Sequence, residues 1–228
     1  MNIMSTLEVS LVSSKSKRPM EGSLPCNSCG AESRASRADE ILDAAAMNVT
    51  LSGKGEIDIR CLASVSGYPI KEVLQEYREG SDVIRALADR HTRRMQEITR
   101  EIGMVTTDTW SQLSAQRLMI LLITPYTEYL QRNPDYIVLL NHESSSESVV
   151  YFIDVIRRVL EIRLPGLNAD QRESYALMMH AMTAGSLSFA RYTEKGMLNF
   201  YLGEMPRVLA CYLSDIERAA DFINSDHP

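Results

Sequence analysis

Lys71, Glu72, Gln75 and Arg78 bring four kinds of polar recognition chemistry into one short stretch of this chain. A glutamine side chain offers the paired donor and acceptor that fits an adenine edge. Lysine and arginine suit guanine or phosphate, and a carboxylate can accept from cytosine. A second candidate lies upstream, where Cys26-Asn-Ser-Cys29 has the spacing that lets two thiolates approach one tetrahedral ion. No second pair follows it, and Cys61 and His91 are only distant conceivable partners. No bound metal is therefore expected; exposed thiols are the first reading and reversible redox pairing the alternative. The chain has no HExxH, GxSxG, P-loop or Rossmann glycine pattern, and His91, His142, His180 and His227 are dispersed. That points away from an enzyme and from a cofactor.

The elements that position the first group are short helices. Apolar residues recur at helical spacing through residues 35–91, with polar or glycine-bearing breaks between segments. A first helix is expected over 37–49, with Ile41, Leu42, Ala45 and Ala46 on its inner stripe. Asp58 is suited to cap a second, whose buried face would carry Ile59, Leu62, Ala63 and Val65. Ser66-Gly67-Tyr68-Pro69 makes a tight turn, and Pro69 can open a third helix over 70–76 with Ile70, Val73, Leu74 and Tyr77 as apolar positions. Two short helices joined by a glycine-containing turn are what a helix-turn-helix requires.

ILDAAA at 41–46, DIRCLA at 58–63, SGYP at 66–69, VLQEY at 73–77 and a long helix from Ser81 resemble the N-terminal domain of the TetR family of transcriptional regulators. The resemblance implies an all-α chain: a three-helix helix-turn-helix domain at 35–80, preceded by a flexible arm at 1–34 and followed by a larger helical bundle at 81–228. It implies a homodimer that binds a double-stranded DNA operator, with Ser66, Tyr68, Pro69, Lys71, Glu72, Gln75 and Arg78 at or near DNA. It further implies a repressor controlled by a small apolar or aromatic ligand. The family's phosphate-contacting position at the start of the fourth helix falls on Gly80, and Glu72, Glu76, Glu79 and Asp82 surround Lys71 and Arg78. These features motivate the alternative reading, a TetR-like protein that has lost operator binding and acts through protein-protein interaction. Lys15, Lys17 and Arg18 in the arm could touch phosphates or serve only solubility.

Beyond residue 80 the expected helices run over 81–101, 108–131, 134–140, 147–163, 168–189 and 199–223. Pro125 falls inside the second of these, and Asn168 with Gln171 resembles a capping box. An effector cavity is expected among the kinked helix and the segments at 149–160 and 175–182. Its candidate lining is Met119, Leu122, Tyr126, Tyr129, Tyr151, Phe152, Tyr175, Met178, Met179 and Met182, methionine being adaptable and tyrosine apolar with a polar tip. His180 could face this cavity or an interface. Cys61 and Cys211 are expected in the core. The last two long helices are those the family packs into its dimer.

Composition sets the outer bounds. With 228 residues, 45% of them hydrophobic and 24% charged, the chain can bury a sizeable core. A formal charge of -6 excludes a non-specific coater of DNA but not a regulator with a small paired contact surface. No long apolar run or secretory signal pattern is present, so a cytoplasmic protein without membrane association is expected.

Overall fold

The computed structural model describes the backbone of residues 27–140, 146–190 and 195–225, and side chains within 36–140, 150–187 and 197–221. Among the described residues there are ten helices and no strand: α1 (Asn27–Ser52), α2 (Ile59–Ser66), α3 (Ile70–Glu76), α4 (Gly80–Gly103), α5 (Thr107–Gln112), α6 (Ala115–Arg132), α7 (Pro134–Leu139), α8 (Ser146–Arg163), α9 (Ala169–Ala190) and α10 (Lys195–Ser225). None of them is long and apolar enough to cross a membrane. The Lys15, Lys17, Arg18 cluster, Cys26, His142, His227 and the polar loop at 141–145 lie outside the described residues, as does the Cys29 side chain.

Helix α1 starts ten residues before the expected Arg37. Ala31, Glu32, Arg34 and Ala35 are strong helix formers and carry it backwards through the end of the expected arm. At its other end Gly53 adopts φ +65° and its N–H donates to the Val49 carbonyl at 2.9 Å, a left-handed glycine stop. Asp58 caps α2 as expected, accepting from the Arg60 N–H at 3.2 Å, and Gly67 ends that helix at φ +75°. Pro69 sits one residue ahead of α3, at its N-cap.

Three apolar clusters hold the helices together. Ile41, Leu42, Ala45 and Val49 of α1 meet Leu62 of α2, Val73 of α3, and Val83 and Leu87 of α4 in the first. Leu139 of α7 joins them. The largest cluster gathers α4, α5, α6, α8, α9 and α10 around Leu118, Leu122, Ile156, Leu160, Met179 and Leu213. A small third cluster, Leu130, Tyr136, Ile137 and Leu202, lies against Met95 and Tyr129.

The segment expected as one helix over 108–131 is broken in two. Leu113 is extended, with ψ 144°, and Ser114 starts α6 afresh by accepting from the Arg117 N–H at 3.3 Å. The cause is remote in sequence. Arg163, at the end of α8, donates to the carbonyls of Leu113 at 2.5 Å and Ser111 at 3.1 Å, so the end of α5 is satisfied without continuing the helix. Asn168 and Gln171 do form the reciprocal cap ahead of α9, at 3.0 and 2.9 Å. Cys61 and Cys211 are exposed rather than in the core. Each sits one position off the inner stripe of its helix, next to buried Leu62 and Ala210. Val65, expected on the inner face of α2, and Ile70 and Leu74 of α3 are exposed as well.

Candidate functional site

Helix α3 has one fully buried side chain, Val73. Its remaining faces are free to carry polar groups. Pro69, Lys71, Gln75 and Arg78 are exposed, with Ile70 and Leu74 beside them. Ser66, Tyr68 and Glu72 are engaged by the chain itself. The Ser66 hydroxyl donates to the Ala63 carbonyl at 3.4 Å, closing the last turn of α2. Half-buried Tyr68 donates its hydroxyl to Glu40 of α1, and that carboxylate raises the Tyr68 pKa above the usual phenol range. Glu72 is in an ion pair.

That ion pair changes the electrostatics of the surface. Arg37 of α1 reaches Glu72 at 3.2 Å and Glu76 at 2.6 Å, so one guanidinium holds both carboxylates of α3. The Glu76 hydrogen bond is the main reason the Arg37 pKa is raised. The next two acids are equally occupied. Glu79 and Asp82 form the capping box that opens α4, with the Asp82 carboxylate accepting from the N–H groups of Arg78 at 3.2 Å and Glu79 at 3.3 Å. Ser81 donates its hydroxyl to Glu79. All four acids around Lys71 and Arg78 therefore have partners, whereas those two cations have none among the described residues. Arg37 carried no sequence signal for this role, because its partners lie 35 and 39 positions away.

Gly80 has a steric explanation. A Cβ built on it would lie 1.8 Å from the Ile57 carbonyl oxygen and 3.0 Å from the Ile57 carbonyl carbon. The first turn of α4 thus rests directly on the backbone that leads into α2. No cationic side chain fits there without moving the helix.

No protein-family model matches this sequence, and no curated protein does.

Eight of the ten residues expected to line a cavity belong to the largest cluster or pack against it. Met119, Leu122 and Met179 are close-packed in the largest cluster. Tyr126 is buried, donates its hydroxyl to Thr99 at 2.8 Å and meets Phe152 edge to face at 5.0 Å; burial pushes its pKa up to about 12. Tyr175 packs by its ring edge on Tyr212 at 6.3 Å, and Met182 lies half-buried against the same cluster. Met178 and Tyr151 are exposed. His180 is half-buried beside Phe152, 5.9 Å between ring centroids, and desolvation lowers its pKa.

Tyr129 belongs to an arrangement that sequence reading missed. Its hydroxyl lies 2.7 Å from Nδ1 of His91, whose Nε2 lies 2.8 Å from Oδ2 of Asp135. His91 and Asp135 are both almost wholly buried, and Tyr136 stacks on the imidazole at 4.7 Å. The group ties the middle of α4 to α6 and α7. Desolvation and the Asp135 charge push the Tyr129 pKa up to about 12. Only the pairing of His91 with Asp135-Tyr136 across 44 positions could have revealed it, and nothing local marks that pairing.

Proposed function

We propose that this chain is a homodimeric DNA-binding transcriptional regulator of the TetR type, a cytoplasmic repressor whose operator affinity responds to a small ligand. The α2–α3 pair would act as its helix-turn-helix within an N-terminal domain at 35–80, and residues 81–228 would form the dimerisation and effector domain. One observation carries the reading. On α3 and the residues just after it, Lys71 and Arg78 are exposed and unpaired among the described residues, while every neighbouring carboxylate is held by Arg37 or by the α4 cap. Lys71 and Arg78 are thereby left as the cations available on this surface of a net acidic chain, and phosphate contact needs such groups. Gln75 is exposed on the same helix and supplies base-reading chemistry.

The dimer is supported by the outward face of α9. Ser174, Leu177, Met178, Ala181 and Gly185 are exposed at helical spacing and include no charge. Such a stripe of small and apolar residues suits close packing of one helix on its symmetry copy.

A second reading has its own support. Val65, Ile70 and Leu74 are 42%, 40% and 45% exposed on α2 and α3, an apolar content suited to a protein partner. Selection of duplexes from a random library by the purified protein, repeated across a salt series, separates the two. The regulator reading expects an enriched palindrome whose binding weakens with salt, and a weaker, flatter salt slope for Lys71→Ala with Arg78→Ala. No enrichment even at low salt would favour the protein-partner reading.

A further inference from the structure

A hollow of about 480 Å³ opens between the end of α4, α5 and α8. That is the size of ordinary small-molecule sites. Its wall is apolar where Ile102, Met104, Trp110, Val155 and Val159 meet. Trp110 is only 2% exposed, and it is fixed from behind. Arg163 donates to its carbonyl at 3.4 Å while holding Glu217 of α10 at 2.8 Å, so α5 cannot drift away from α8.

The polar part of the hollow is cationic. Arg100 and Arg158 both border it, both are exposed, and neither has a partner among the described residues. This sets them apart from the arginines around them. Arg94 is taken by Glu97 and Glu101, and Arg157 by Asp154 and Glu173. Asp154, the one carboxylate in the lining, is thus paired with an arginine outside the lining. Two unpaired guanidiniums above an apolar wall match a ligand with an anionic head and an apolar body, because the planar fork grips carboxylate or phosphate oxygens while the body covers the wall.

We infer that this hollow binds a small amphipathic organic anion, a carboxylate or phosphate monoester whose head is taken by Arg100 and Arg158 and whose body lies against Trp110. Its use as the effector site rests on the regulator reading; its existence as a binding site does not. Thr99 gives the occupant a route into the fold. It lines the hollow, accepts the Tyr126 hydroxyl of α6 at 2.8 Å and donates to the Met95 carbonyl at 2.8 Å. A ligand resting on Thr99 and Ile102 therefore bears on α4, the helix whose first turn sits on Ile57, just ahead of α2.

Trp110 is the sole tryptophan of the chain, so its fluorescence reports this hollow. The full-length protein is titrated with octanoate, octyl phosphate, octanol and octylammonium. The expected result is a saturable change with the two anions and roughly tenfold weaker binding of octanol and octylammonium. The better of the two anions identifies the head group. The double variant Arg100→Gln with Arg158→Gln should lose about tenfold for the anions and leave octanol unchanged. Both sites are exposed, and circular dichroism checks that the helices persist. Equal affinity for octanoate and octanol, or undiminished anion binding by the double variant, overturns the inference. Charge-dependent binding by a protein that selects no duplex upholds the site and removes its regulatory use. Duplex selection with binding blind to the head group removes the site and leaves the regulator reading standing.

Discussion

Replacing Gly80 by alanine should destabilise this protein, although the same change inside a helix ordinarily helps. Alanine gains about 0.5–1 kcal/mol over glycine in a helix because it loses less backbone freedom on folding. At Gly80 the new methyl would stand 1.8 Å from the Ile57 carbonyl oxygen, a backbone atom that no rotamer change can clear. The gap must open by more than an ångström, which displaces α4 or the residues leading into α2. Overpacking of this kind costs about 1–3 kcal/mol. For a chain of this length that corresponds to a fall in melting temperature of roughly 2–12 °C. Gly103, at the other end of α4, is the control: nothing lies within 4 Å of its Cβ direction, so Gly103→Ala should be neutral or mildly stabilising. Differential scanning calorimetry on both variants decides the matter. A Gly80→Ala protein melting at or above the parent temperature would refute the steric account of why this position carries no cation.

Two further outcomes follow from the buried polar groups. Asp135→Ala leaves His91 Nε2 without its partner in a site only 1% exposed and should cost about 1–3 kcal/mol in urea denaturation, with Asp135→Asn losing less; no measurable loss would mean that the pair contributes little to holding α4. Burial raises the Tyr126 pKa to about 12 from an ordinary value of 10, so the fold retains a proton that the unfolded chain releases. The stability this contributes is complete below pH 10 and is lost as pH rises towards 12, and Tyr126→Phe should flatten the alkaline limb of the melting curve; an unchanged limb would assign it to other groups.

Local signals were legible in the sequence and remote ones were not. The Asp58 cap, the Gly67 turn and the Asn168–Gln171 box each depend on residues within four positions, so spacing alone locates them. The break at Leu113–Ser114 depends on Arg163, fifty positions away from Leu113, and periodicity ran straight through it. The acids around Lys71 count against nucleic acid when summed along the chain; in space, Arg37 and the α4 cap occupy them. Helical spacing alone does not separate cavity lining from close-packed core, for a related reason. Met119 and Met179 have the same helical spacing whether they face a ligand or another helix, and here they face other helices. Arg100 and Arg158 looked like ordinary surface charges because only the fold brings α4 and α8 together at one hollow.

Helix α7 has only six residues, yet it has a stake on both sides of the molecule. Leu139 is counted in the cluster of α1–α4, Tyr136 and Ile137 in the one shared with α6 and α10, and Asp135 grips His91 between them. Neither half can melt without stripping this short rod of partners. The two halves should therefore lose their structure in one transition, and a chain cut on either side of α7 should leave whichever fragment lacks it markedly easier to unfold.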